Sequence, residues 1–133
     1  MGAMSANLAV PTFDEVGAAK YVSLTTFTKD GRPKPAAVWA APDNGELLVW
    51  TESNAWKVRR IRKTTRVTLA ICDARGKVRS GEVEGTARVL DPDGTERARD
   101  AISRKYGLLG WVLVRASVLR RGKSGTIGLA ITA

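Results

Sequence analysis

Lys57 and Arg60 stand one helical turn apart, a few residues after Thr51-Glu52-Ser53, in the stretch Trp50-Thr-Glu-Ser-Asn-Ala-Trp-Lys-Val-Arg-Arg-Ile-Arg-Lys-Thr-Thr-Arg-Val-Thr68. An apolar strand end, a small polar turn and a helix start full of cations suit a phosphate. The helix dipole, free first-turn amides and charge-assisted hydrogen bonds all favour an anion there. From Lys57 to Arg66 there are six basic residues (Lys57, Arg59, Arg60, Arg62, Lys63, Arg66) and no acidic one. The whole chain carries 22 basic and 13 acidic residues for a net charge of +9, so the rest holds 16 against 13. The excess charge is local. The competing reading is a basic helix that simply faces water.

Other candidates are weaker. Trp39 and Trp50 fall at comparable places on two strands expected to be neighbours, and Trp56 adjoins the basic run; beside a phosphate they would line a flat slot for a ring system, or they are core. Glu82 and Glu84 share a strand face, which suits acid–base work, a solvated face or a salt bridge to a nearby arginine. Tyr21 and Tyr106 are possible proton donors. The single cysteine, Cys72, sits in an apolar run and reads as a small core residue. There is no histidine. That removes Ser-His-Asp and Cys-His catalysis, histidine metal sites and a histidine haem ligand.

The elements that must position these residues follow from pattern. The 133 residues, 44% apolar and 26% charged, suit one domain with a real core. No run reaches the roughly 18 apolar residues of a membrane span, nor does the N-terminus look like a signal peptide, so a cytoplasmic protein is expected. Residues 1–17 form a lead-in, of which Met1-Gly-Ala-Met4 resembles an expression scar, with a short helix near Phe13 to Ala18. Strands are expected at Tyr21–Thr28 and Lys34–Ala41 around an Asp30-Gly31 turn, then at Glu46–Thr51 after Pro42-Asp-Asn-Gly45. In the basic helix, capped by Ser53 or Asn54, Val58 and Ile61 lie about 60° apart as an apolar stripe, with Lys57 and Arg60 on its flank and Arg59 and Lys63 turned to water. Strands at Arg66–Asp73 and Val78–Leu90 follow. A helix starts at Asp91-Pro92 and closes at Gly107, and Trp111–Leu119 and Thr126–Thr132 read as the last strands. The pattern gives a mainly β fold: a small antiparallel barrel of five or six strands with two short helices.

The hairpin Leu24-Thr-Thr-Phe-Thr-Lys-Asp-Gly-Arg-Pro-Lys-Pro-Ala-Ala-Val-Trp39, then Leu48-Val-Trp-Thr-Glu-Ser53, Lys57 to Leu69 and Val83-Glu-Gly-Thr-Ala87, resemble in their order the flavin and deazaflavin oxidoreductases on the pyridoxine phosphate oxidase split barrel. Residues 18 to 132 are most similar to the short actinobacterial branch that uses the deazaflavin coenzyme F420. The resemblance implies a six-stranded antiparallel split β-barrel of the FMN-binding type, a homodimer with two cofactors at the subunit interface, and hydride transfer. Carried over by position, the cofactor contacts are Val38, Trp39, Trp50, Thr51 and Ser53, with Lys57 and Arg60 on the phosphate. Where some relatives have a polar pair, this chain has Ala36-Ala37. It also lacks the Arg-x-x-Leu-Leu-Lys pattern of the phosphate-oxidising flavin branch, which weakens flavin mononucleotide (FMN) as cofactor and pyridoxine phosphate as substrate.

Charge separates the two cofactors independently. FMN presents one phosphate, whereas F420 adds an oligoglutamate tail. Six cations, joined by Arg75, Lys77 and Arg79 from a second subunit's hairpin, exceed what one phosphate needs. The expected activity is reduction of an electron-poor unsaturated small molecule with reduced F420, with no residue named as general acid. The alternatives are an FMN enzyme, a non-catalytic flavin or tetrapyrrole carrier, and a nucleic-acid binding module, the last suggested by a pI near 10.3. Against nucleic acid, the cations cluster in one stretch and the tryptophans lie in apolar strands.

Overall fold

The computed structural model describes residues 9–122 and 125–133. The first helix, α1 (Phe13–Ala18), opens on a capping box in which Thr12 and Glu15 satisfy each other's backbone amides. Strands β1 (Tyr21–Phe27), β2 (Pro33–Val38), β3 (Ala40–Asp43) and β4 (Glu46–Glu52) lead to α2 (Trp56–Lys63) and β5 (Arg66–Cys72). Strand β6 (Val83–Val89), the long helix α3 (Pro92–Arg121) and β7 (Thr126–Thr132) complete the chain. The Asn44-Gly45 link between β3 and β4 has φ of 50° and 78°, the two left-handed residues that a tight hairpin needs.

All seven strands form one antiparallel sheet in the order β2-β1-β5-β6-β7-β4-β3. The two edge strands, β2 and β3, are consecutive in the chain, with only Trp39 between them. One residue cannot span a flat sheet of seven strands, so the sheet must curl until its edges meet at Trp39. The result is a split barrel with a seam. The barrel expected from sequence is therefore present, with seven strands and without closure. The expected strand Lys34–Ala41 is the one divided, because at Trp39 its two halves pair with different partners: Val38 with Val22, Ala40 with Val49.

Two cores follow from strand alternation. Inside the curl, Leu24, Leu47, Val49, Leu69, Leu129 and Ile131 pack against Val58 and Ile61 of α2. Outside it, Leu48, Ala41 and Ala130 meet Ala98, Ala101 and Ile102 of α3. Cys72 is buried, as its apolar run implies.

Two neighbours on α3 hold the seam. The Lys105 ammonium donates to the carbonyls of Gly17 (2.7 Å), Ala19 (2.6 Å) and Ala40. Tyr106 Oη donates to the Lys20 carbonyl at 2.8 Å and accepts from the Ala40 amide at 3.2 Å, while its ring stacks on Trp39 with centroids 4.2 Å apart. Tyr106 is thus spent on structure, not on proton donation. Burial lowers the Lys105 ammonium to about 8, and the three carbonyls help keep it charged at neutral pH. Lys105→Met, which keeps the stem and removes the donors, is expected to cost about 1.5–3 kcal/mol, read from urea unfolding.

A second tie joins α3 to the β3–β4 hairpin. Glu46 accepts from Arg88 and from Arg97 (2.7 Å), and Arg97 also pairs with Asp43 at 3.0 Å. The guanidinium of Arg88, then that of Arg97, holds the Glu46 carboxyl below its ordinary 4.5. A depressed folded value means stability that is present above about pH 4.5 and lost as pH falls through the folded value. Glu46→Gln should therefore be less stable than wild type at pH 7 and lose less of its melting temperature between about pH 5 and pH 3.

The other departures lie in the second half of the chain. Strand β6 begins at Val83 rather than Val78; only an isolated bridge, Cys72 to Val78, precedes it. Trp111–Leu119, expected as a strand, is helical. Gly107 (φ 65°, ψ −148°) breaks α3 as its place after Tyr106 suggests, but the helix resumes. The sheet is already complete with β7 between β4 and β6. Val114 is buried along the helix, and this packing outweighs a β-branched preference of only a few tenths of a kcal/mol per residue.

Candidate cofactor site

The basic helix forms where its apolar pair requires. Val58 and Ile61 are each 1% exposed in the inner core, which turns Arg59, Arg62 and Lys63 outward and leaves Lys57 and Arg60 half-buried at the flank. The cap differs from expectation. Ala55 occupies the N-cap position and no side chain caps the helix, so neither Ser53 nor Asn54 serves. The first-turn amides thus lack a side-chain acceptor, which leaves the helix start available to an anion.

Lys57 Nζ donates to Thr51 Oγ1 at 3.1 Å, so the end of β4 and the first turn of α2 are joined. Burial pushes the Lys57 ammonium down, the charge of Glu52 pulls it up, and the nearby Arg60 guanidinium lowers it further. A bound anion would relieve the last effect. Among the described residues, no carboxylate lies within ion-pair distance of Lys57, Arg59, Arg60, Arg62 or Lys63. By contrast, Arg66 at the end of the basic run pairs with Glu84 at 2.9 Å, and Thr68 donates to Glu82 at 2.7 Å. The two glutamates are therefore occupied in structural contacts.

A groove of about 490 Å³ runs beside this helix, between Phe27-Thr28-Lys29 on one side and α2 with its C-cap Thr64 on the other. Trp56 is 66% exposed, and the Arg59 guanidinium lies 4.9 Å from its ring centre. The wall is aromatic and cationic at once.

The remaining expected contacts spread around this centre. Val38, at the end of the edge strand β2, packs against the inner core. Ser53 lies in the turn between β4 and α2, where its amide donates to the Gly125 carbonyl at 3.1 Å. It also lines a separate cavity of about 530 Å³ with Arg99, Thr126 and Ile127. Trp39 and Trp50 pack on the α3 side with Tyr106 and Leu90, across the sheet from Thr51. The structure thus joins Thr51, Lys57 and Arg60 but does not bring the two indole rings to them. Arg79 is bound to Asp73 of its own chain at 3.2 Å, and Asp73 also accepts from the Arg75 and Lys77 amides, so this hairpin is internally organised. Sequence reasoning missed Arg99. It is buried and donates to Thr126 Oγ1 at 2.8 Å, and within the charged run Glu96-Arg97-Ala98-Arg99-Asp100 nothing in the sequence marks its depth.

Comparison with known proteins concerns the fold and the family. In fold the chain is similar to a conserved hypothetical protein of Mycobacterium tuberculosis (21% identity, 96% of this chain and 83% of that one, TM-score 0.67). It is also similar to an F420 reductase (18%, 92% and 93%, 0.58) and to the haem storage protein of Vibrio cholerae (15%, 90% and 85%, 0.59). No curated protein matches the sequence. The family model described as pyridoxamine 5'-phosphate oxidase, however, matches residues 12–126. That match, over most of the chain and on a split barrel, places this chain in the pyridoxamine 5'-phosphate oxidase family of flavin-type oxidoreductases.

Proposed function

We propose that the protein is an F420-dependent reductase of the short actinobacterial branch of this family, acting on an electron-poor unsaturated small molecule. The observation that carries the reading is the row of five α2 cations without a carboxylate partner among the described residues, beside a helix start without a side-chain cap. A flavin phosphate would engage Lys57, Arg60 and the first-turn amides. The outward cations, Arg59, Arg62 and Lys63, together with Lys29 across the groove, suit the carboxylates of an oligoglutamate tail.

When bound, the reduced deazaflavin supplies the hydride. The chain's own part is to bind and orient. Thr51 fixes the Lys57 ammonium, Lys57 and Arg60 anchor the phosphate, and the backbone around Val38 and Trp39 and at Trp50, Thr51 and Ser53 flanks the ring. Every part of this works without a histidine. A homodimer and a cytoplasmic location belong to the same proposal, as does reading residues 1–133 as one barrel domain.

Titration of the purified protein with F420 and with FMN, followed by tryptophan quenching, tests the cofactor. Tight F420 binding that weakens as salt rises is expected, since a polyanionic tail is screened more than one phosphate. Quenching by FMN alone would overturn the assignment.

A further inference from the structure

The second half of α3 is the part of the molecule that the proposed function does not use. Between the Gly107 break and Gly122, Val114 is 6% exposed and faces the protein, whereas the outer side carries Leu108 (78%), Leu109 (62%), Val112 (45%), Leu113 (46%) and Leu119 (88%). At about 100° per residue these five, with Ala116 among them, fill an arc of roughly 140° on the outward face. Arg115 and Arg120 lie near its two margins. Trp111 flanks the arc, half exposed, with the Arg115 guanidinium 5.2 Å from its ring centre. A helix that is apolar on both its inner and outer sides needs a cover that water does not provide.

Charge identifies the cover. From Ala101 to Ala133 the chain holds six basic residues and no acidic one. Packing this face on itself about a two-fold axis would bring Arg115 and Arg120 close to the same residues of a second copy, with no carboxylate on this segment to meet them. An anionic lipid surface matches both features at once, taking the leucines among its acyl chains and the arginines at its headgroups, with tryptophan at the boundary. The segment is about 20 Å long, and among the described residues no helix is long and apolar enough to cross a membrane. It would lie in the interface plane. We infer that the outer face of α3 beyond Gly107 docks the protein on anionic membrane surfaces.

Co-sedimentation of the full chain with phosphatidylcholine vesicles, and with vesicles containing about 30% phosphatidylglycerol, tests this. Partition onto the anionic vesicles should be at least tenfold higher at 0.1 M salt and should fall to the phosphatidylcholine level at 0.5 M. Val112→Asp with Leu119→Asp, both at exposed positions, should lower it tenfold or more, with thermal melting confirming the fold. Arg115→Gln with Arg120→Gln, which leaves the apolar arc intact, should lower it severalfold and provides the test if the first pair fails to fold. Equal partition onto both lipids, low or high, overturns the inference. So does light scattering that shows a wild-type oligomer split by Val112→Asp with Leu119→Asp, since the face would then belong to a second copy.

Discussion

Lys57→Ala combined with Arg60→Ala is expected to weaken F420 binding by roughly 200- to 1000-fold, the loss of about 3–4 kcal/mol that two charge-assisted contacts to a phosphate represent. Both side chains are half-buried at the flank of α2, with Val58 and Ile61 beneath them in the core, so truncation removes charge without opening the interior. The fold should survive, and circular dichroism should be unchanged. Arg59→Ala with Lys63→Ala supplies the contrast. These exposed cations should matter severalfold at low salt and little at 0.5 M, because screening removes exposed attractions before half-buried ones. Unchanged F420 affinity in the Lys57/Arg60 variant would reject this site whatever the family.

Gly128→Val should be a severely damaging single change to stability, at about 3 kcal/mol or somewhat more. Gly128 lies on β7 opposite Trp50, close against Thr95 and Ala98 of α3. A β-carbon there would stand 2.8 Å from Ala98 Cβ, 3.1 Å from Leu90 Cδ1 and 3.2 Å from Thr95 Cα. The amide also donates to Thr95 Oγ1 at 3.0 Å, so the strand cannot move away without breaking that bond. Pushing α3 outward would in turn strain the Arg97 contacts to Asp43 and Glu46. A large fall in urea midpoint is the expected result. If Gly128→Val left it within the range of a surface substitution, α3 would not pack where the structure puts it.

What could be read from the chain, and what could not, divides by the range of the information. Asp30-Gly31 and Asn44-Gly45 announced their turns because left-handed backbone favours those residues locally. Val58 and Ile61 announced the inward face of α2, and with it the outward cations, because helical period is a local property. The exchange of β2 for β3 at Trp39 had no such signal. Lys34 to Ala41 alternates like one strand, and only the pairing with Val22 on one side and Val49 on the other divides it. Trp111 to Leu119 misled for a related reason: its valines favour a strand, but every place in the sheet was taken and Val114 had a helical seat. The side of the sheet to which Trp39 and Trp50 belong was likewise open until α3 had a position. At the site, the charge at Lys57 and Arg60 was legible, whereas the uncapped helix start and the Thr51 contact were not.

The seam at Trp39 also bears on how the chain folds. Its hydrogen bonds join Ala19, Lys20 and Ala40 to Lys105 and Tyr106, at sequence separations of 65 to 86. Such contacts carry a large loop-closure cost, so they form after the hairpins and not before. The strands would pair first, and the hydrogen bonds from Lys105 and Tyr106 would seal the seam only when α3 docks. Substitutions at Lys105 or Tyr106 should then speed unfolding while leaving the folding rate nearly unchanged, which makes the seam a latch on the lifetime of the native state.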